Sequence, residues 1–126
     1  MNAAFWGAVL GGLGVALGAF GAHGLKSFLA QADDMQLRLS WWDKATRYHM
    51  WHALLLGLIA ILNQGNAHKW LTWSGWATFC GVMVFSGTLY LMTLTNMRIL
   101  GAITPLGGLS LLTGWAFLGL WAFTQH

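Results

Sequence analysis

Charged side chains are scarce in this sequence. Only nine of its 126 residues are Lys, Arg or Asp, a share of 7%, whereas a soluble globular domain carries about 25%. Hydrophobic residue types make up 57% of the chain, and nine residues are Trp. This balance excludes a disordered chain and indicates a membrane protein rather than a soluble domain.

The sequence also lacks cysteine pairs and known catalytic motifs, which excludes several classes of function. Cys80 is the single cysteine, so neither a disulfide framework nor a CxxC motif is possible. The sequence has no Ser-His-Asp constellation, HExxH motif, Walker loop or GxGxxG motif ahead of a helix, and we expect no enzymatic activity. The net charge of +3 comes from a few loop residues, so we expect no nucleic-acid partner.

The few charges are clustered. Seven of the nine lie between Lys26 and Arg47, and Lys69 and Arg98 divide the rest into long charge-free runs. A bilayer core about 30 Å thick needs about 20 apolar residues in a helix. The sequence therefore predicts an all-α membrane protein, a single domain over residues 1–126, with four transmembrane helices in a compact bundle and an interfacial cytoplasmic loop at 26–47. The predicted spans are Ala3–Ala22, Tyr48–Leu62, Leu71–Leu94 and Ile99–Phe123.

Two other interpretations of these runs are weaker. Barrel strands alternate apolar and polar residues, whereas these runs are apolar on all faces. Residues 19–22 would suit a signal peptidase, but no base precedes the first run, which is longer than the about 7–15 residues of a signal h-region. We expect the first run to remain in the protein.

The bases predict the orientation. Loops rich in Lys and Arg stay in the cytoplasm. Four bases lie in the 26–47 loop and Arg98 lies on the same side, whereas the Gln64–Lys69 turn on the other side has only Lys69. We therefore expect a multi-pass membrane protein with both termini outside the cytoplasm.

The first loop has the most polar character. Ser40, with Asp43 three residues later, resembles a capping box and predicts a helix that starts near Trp41 and runs into the second span. Asp43 and Arg47 have the i,i+4 spacing of an ion pair. Aromatic residues at both ends of the spans predict interface belts. These residues are Trp41, Trp42, Tyr48 and Trp51 on the cytoplasmic side, and Trp70, Trp73, Trp76, Trp6 and Trp121 on the other.

Glycines recur along the first span at intervals of four, three, four and three residues. They are Gly7, Gly11, Gly14, Gly18 and Gly21. This spacing predicts one stripe for close helix packing, since helices in lipid associate through small residues. The contact is either within the bundle, which we favour, or between copies of the chain.

Pro105 is the single proline, and it falls inside the fourth predicted span. Because proline has no N–H, the carbonyl of Gly101 would lose its helical partner and the helix would kink. Thr104, water or a neighbouring helix would then satisfy that carbonyl. The kink either adapts the shape of the helix or provides a hinge or an ion-coordinating carbonyl.

Histidines and arginines near the cytoplasmic surface are the candidate ligand-binding residues. The set is His23, Arg47, Tyr48, His49, His52 and Arg98. Imidazoles bind metals or haem iron, but His49 and His52, three residues apart on one helix, cannot both bind the same iron. Since the spans hold no carboxylate to orient an imidazole, we favour hydrogen bonds to backbone carbonyls or lipid phosphates over metal binding.

Three stretches resemble a known family. They are LGAFGAHGL at 17–25, RYHMWHALLL at 47–56, and FSGTLYLMTLT followed by LGAITPLGG within 85–108. In this order they are similar to the bacterial small membrane proteins of domain of unknown function 423, the YgdD-like proteins. The resemblance covers essentially the whole chain, including His23, Tyr48 and Pro105, and implies a four-span inner-membrane protein. It implies no activity, substrate or cofactor.

Two classes of function remain. The first is a non-enzymatic packing or accessory protein that associates with itself or with a larger membrane complex. The second is a binding protein for haem, a metal, a quinone or a lipid headgroup at the histidine and arginine positions. The glycine stripe and the absence of charge within the spans favour the first class.

Overall fold

The computed structural model describes residues 1–65 and 67–126; Asn66, in the predicted Gln64–Lys69 turn, lies outside the described residues. Within them the chain forms five α-helices and one 3-10 helix, Arg98–Ala102, which precedes the last α-helix. The α-helices are α1 (Ala3–Ala22), α2 (Gly24–Phe28), α3 (Met35–Leu62), α4 (Lys69–Thr95) and α5 (Thr104–Thr124). The prediction of an all-helical protein is confirmed for this part of the chain.

Three helical segments are long and apolar enough to cross a membrane. They are Ala3–Ala22, Lys69–Thr95 and Arg98–Thr124. The 20 residues of α1 have a length of about 30 Å, which is the thickness of the bilayer core. The 28 residues of α3 form a helix about 42 Å long. Its first half carries the charged side chains, and its second half is apolar.

The helix expected to begin near Trp41 begins at Met35 instead. Ser40 does not cap a helix; it lies inside α3 and its hydroxyl donates to the carbonyl of Leu37 at 2.6 Å. Residues 35–39 are good helix formers, and they extend the helix back to the turn at Asp33 and Asp34. The expected ion pair is confirmed, with Arg47 2.9 Å from Asp43.

The helices pack in the order α1, α3, α4 and α5, each against the next. The glycine stripe of α1 contacts α3 at every seventh residue. A Cβ atom on Gly7 would lie 3.1 Å from the Ala53 carbonyl oxygen, and one on Gly14 would lie 3.1 Å from the Met50 methyl group.

The predicted stripe is therefore wrong in part. Gly21 continues the contact against Trp42, but Gly11 and Gly18 face open space. A seven-residue repeat keeps one side of a helix against a neighbour that crosses at a small angle, so the intervening glycines turn away from the contact.

Side-chain hydroxyls and glycines join α4 to α5. Ser74 donates to the carbonyl of Gly114 at 2.7 Å, and Ser110 donates in the opposite direction to the carbonyl of Ala77, also at 2.7 Å. Gly107 packs directly against the backbone of Phe85. Close backbone approach combined with interhelical hydrogen bonds is typical of helices that associate in lipid.

Trp42 is a core residue, contrary to the predicted aromatic belt. Its side chain is buried, and its indole N–H donates to the carbonyl of Leu17 at 2.9 Å. The indole fills the space that Gly21 leaves on α1. A Trp with a satisfied N–H is stable in a core, so position near a helix end alone does not make it an interface residue.

The predicted kink at Pro105 is a junction between two helices. Pro105 lies in the first turn of α5, where a missing N–H costs no hydrogen bond. The 3-10 helix that contains Gly101 ends at Ala102, so the lost partner expected within a continuous helix does not arise. Thr104 donates to the carbonyl of Leu100 at 3.2 Å, and its hydroxyl is 2.7 Å from that of Thr88.

Candidate functional site

The structure separates the six candidate residues into several places. His23 is exposed at the end of α1, and the Arg47 side chain is 64% exposed beside Asp43. Arg98 forms an ion pair with Asp34 at 3.1 Å and lies over the ring of Trp41. These three side chains therefore lie at the surface, away from the buried rings of His49 and His52.

His49 and His52 have different neighbours although they lie three residues apart. Both side chains are buried. Nδ1 of His49 lies 3.0 Å from the hydroxyl of Tyr90 on α4, and the ring also borders Gly14 of α1. Within the described residues, Nε2 of His49 has no hydrogen-bond partner.

His52 is held in one tautomer by its two partners. Nδ1 lies 2.7 Å from the carbonyl oxygen of Tyr48, which only accepts, so Nδ1 carries the proton. Nε2 accepts from the indole N–H of Trp115 at 3.2 Å. Because this bond occupies the lone pair of Nε2, His52 is not poised to bind a metal.

A groove of about 870 Å³ lies between α3 and α5, with Phe85 of α4 at its base. We call it the α3–α5 groove. Its walls are largely apolar, and His52 and Tyr48 are among the residues that line it. The volume is within the range of about 300–1,000 Å³ that small-molecule sites occupy. Residues that define it are Tyr48, Trp51, His52, Pro105, Gly108 and Trp115.

The aromatic rings in this groove support one another. The ring of Tyr48 stacks on His52, with 6.0 Å between centroids, and lies 4.5 Å from the ring of Phe85. Trp115 meets His52 edge-on. The structure therefore brings together two of the six predicted residues, Tyr48 and His52, on the α3 side of the groove. Residues of α5 form the opposite wall.

Sequence reasoning missed the role of Arg38. Its side chain is 11% exposed, its Nε donates to the carbonyl of Thr93 at 2.8 Å, and a terminal guanidinium nitrogen donates to that of Leu94 at 3.2 Å. A cation at a helix C-terminus satisfies carbonyls that have no helical partner. Arg38 was not among the predicted site residues, because the helix that carries it was expected to begin only near Trp41.

No metal centre is apparent in residues 1–65 and 67–126, where no three His, Cys, Asp or Glu side chains are grouped closely enough to hold an ion. What the site offers instead is an apolar cleft with a fixed imidazole. Apolar spans, aromatic packing and interhelical hydroxyl bonds define the class: a small helical membrane protein.

The family follows from comparison with known proteins. The family described as "Protein of unknown function (DUF423)" matches residues 17–108, and this chain belongs to it. The family has no named activity, which agrees with the resemblance found in the sequence.

Relatives in Staphylococcus aureus are named UPF0382 membrane proteins. The one from strain USA300 is 41% identical over 69 residues, which cover 55% of this chain and 52% of the relative. The one from the bovine strain RF122 is 40% identical over the same shares of the two proteins. The chain thus spans about half the length of the curated relatives it matches. No solved structure matches it.

Proposed function

We propose that this protein is a four-span protein of the inner membrane, with α3 as the crossing between α1 and α4. The charge-free stretch from Tyr48 to the end of α3 supports this topology, as does the burial of Leu55, Leu56 and Ile59 between neighbouring helices. The excess of bases in the 26–47 loop supports a cytoplasmic position for that loop.

In this bilayer arrangement, the protein is a non-enzymatic binding protein for an apolar, chain-like ligand in the α3–α5 groove. The observation that carries the proposal is the groove itself, whose mostly apolar walls enclose one oriented imidazole. Pockets of this kind, apolar with a few placed polar groups, are typical ligand sites.

Photolabelling tests the proposal. The purified protein in detergent is irradiated with a fatty acid that carries a diazirine in its chain, and the labelled peptides are identified by mass spectrometry. We expect labels on the groove residues of α3 and α5. Labels spread evenly over all apolar helix faces would contradict a specific site.

A matched pair of glycines provides the control. Gly108 borders the groove, and a Cβ atom there would meet the Phe85 ring at an ordinary 3.7 Å, so Gly108→Leu should fill the groove while the helices stay packed. Gly119 lies on the same helix and a Cβ there meets open space. Gly108→Leu should abolish the groove labels and Gly119→Leu should leave them.

A packing or accessory role is the second candidate, and the outward position of Gly11 and Gly18 supports it. These glycines face open space on α1 and leave a smooth surface for a helix of another chain, either a second copy or a subunit of a larger membrane complex. Gly11→Leu with Gly18→Leu should then disrupt a complex isolated in mild detergent, without lowering the thermal stability of the protein itself. An unchanged complex would remove this candidate.

A further inference from the structure

The length of the α3–α5 groove matches one leaflet of a bilayer. On α5 it extends from Pro105 to Trp115, ten residues along the helix, or about 15 Å. This is half the thickness of a hydrocarbon core of about 30 Å. An occupant that enters from the α5 start would therefore reach the middle of the membrane.

The two walls of the groove run in the same direction. Tyr48 and Pro105 lie at the end where α3 emerges from its charged half and where α5 begins, whereas Leu54 and Trp115 lie deeper. The charged half of α3 thus adjoins one end of the groove and the apolar half lines the rest, which matches a lipid that has its headgroup at the surface.

Two basic side chains lie one helical turn from groove residues, on the charged half of α3. Lys44 and Arg47 each precede a groove residue by one helical turn, Tyr48 and Trp51 respectively, and therefore share its face of α3. Lys44 is exposed and forms no ion pair with any described residue.

Acidic groups cancel this charge only in part, since Asp43 lies 2.9 Å from Arg47 whereas Lys44 has no acidic partner among the described residues. The loop at 26–47 together with Arg98 holds five bases and three acids, a surplus of two positive charges. Arg98, exposed at the start of the 3-10 helix, adds its guanidinium to the same end of the molecule, although it shares Asp34 with Arg38. A negatively charged headgroup complements a surface of this kind.

We infer that the α3–α5 groove holds one acyl chain of an anionic phospholipid, whose phosphate lies against Lys44 and Arg47. The inference rests on the proposed function, because it names the ligand of the same groove. The chain fills the apolar length from Tyr48 to Trp115, and the headgroup interacts with the basic residues one turn above. The lipid comes from the leaflet in which the charged half of α3 lies.

Native mass spectrometry of the full chain tests the inference. The protein is purified in uncharged detergent and mixed with phosphatidylglycerol or with phosphatidylcholine that has the same acyl chains. We expect one phosphatidylglycerol per chain to be retained in preference to phosphatidylcholine. Lys44→Gln should lower phosphatidylglycerol retention about fivefold and bring it towards that of phosphatidylcholine.

Two controls separate charge from packing. Lys69→Gln removes an exposed base at the other end of the molecule and should not change retention. Gly108→Leu should lower the retention of both lipids, since it fills the groove that both chains need. Because Lys44 is exposed, Lys44→Gln should keep the helix content and thermal stability of the unaltered protein.

The outcomes distinguish this inference from the proposed function. Equal retention of the two lipids, with the groove still labelled by the diazirine fatty acid, would overturn the anionic lipid and leave an apolar-ligand site. A dimer with no retained lipid and a groove that is inaccessible to the label would show that a second copy occupies it, and would overturn both proposals.

Discussion

The imidazole of His52 accepts a hydrogen bond from the indole N–H of Trp115, with 3.2 Å between the nitrogens. This bond joins α3 to α5 across the groove, and the carbonyl of Tyr48 holds the other ring nitrogen. The groove therefore has a fixed width at this level, even though α3 and α5 are separated elsewhere by the groove itself.

Replacing Trp115 by Phe should weaken this link. The ring remains but the N–H is lost, so we expect a loss of about 1 kcal/mol in the free energy of unfolding, a typical value for an interhelical hydrogen bond in a membrane protein. Thermal unfolding in detergent measures the change. Trp76→Phe is the control, since Trp76 is 48% exposed on α4, and an equal loss there would contradict the role of the bond.

Substitution by leucine should have different effects at Gly7 and Gly11, although the two residues lie one turn apart on α1. Gly7→Leu places a side chain against the backbone of Ala53 and Gly57, and overpacking of this kind costs about 1–3 kcal/mol. Gly11→Leu points into open space and should be tolerated in the isolated protein. Expression level and melting temperature in detergent compare the two, and equal tolerance would show that α1 does not contact α3 through a seven-residue repeat.

Arg38 should matter more than Arg47. Arg38→Gln leaves the carbonyls of Thr93 and Leu94 without their donor, and hydrogen bonds to a charged group contribute about 1.5–3 kcal/mol. Arg47→Gln breaks an exposed ion pair and should cost about 0.5 kcal/mol at most. The same unfolding assay applies, and a greater effect at Arg47 would contradict the capping of α4.

The positions of the termini test the fourth crossing. If α3 crosses the membrane with α1, α4 and α5, reporters fused before Met1 and after His126 should both be active outside the cytoplasm. If α3 lies on the surface, three crossings put the two termini on opposite sides. A periplasm-dependent phosphatase and a cytoplasm-dependent fluorescent protein at each end distinguish these arrangements.

The sequence predicts the helical class and the positions of the apolar segments, because a charge-free run longer than a bilayer is a local property. The limits of α1 and the ends of α4 depend on composition alone, and the predicted limits lie within two residues of those in the structure. The start of α3 is less predictable, since helix propensity at residues 35–39 competes with the capping pattern at Ser40.

The α3–α5 groove depends on how the helices pack against one another, so local sequence patterns do not predict it. Tyr48 and His52 were candidates because of their residue types, but the opposite wall depends on which face of α5 meets α4. Gly107 packs against the backbone of Phe85 on α4, whereas Gly108 borders only the Phe85 ring and lines the groove, a difference that two adjacent glycines do not reveal in the sequence. The burial of Trp42 is equally hidden in the sequence, since no local pattern shows that Gly21 of another helix leaves space for its ring.

The paired serines of α4 and α5 have a mechanical consequence. Ser74 and Ser110 donate in opposite directions across the same interface, so translation of α5 along α4 by one turn would break both bonds. These two bonds therefore hold α4 and α5 in one register relative to each other. A wider groove therefore requires α3 to tilt away from α5, which would break the bond between His52 and Trp115. The 2.8 Å bond from Ser86 to the carbonyl of Ala45, near the charged end of α3, would be the pivot of that motion.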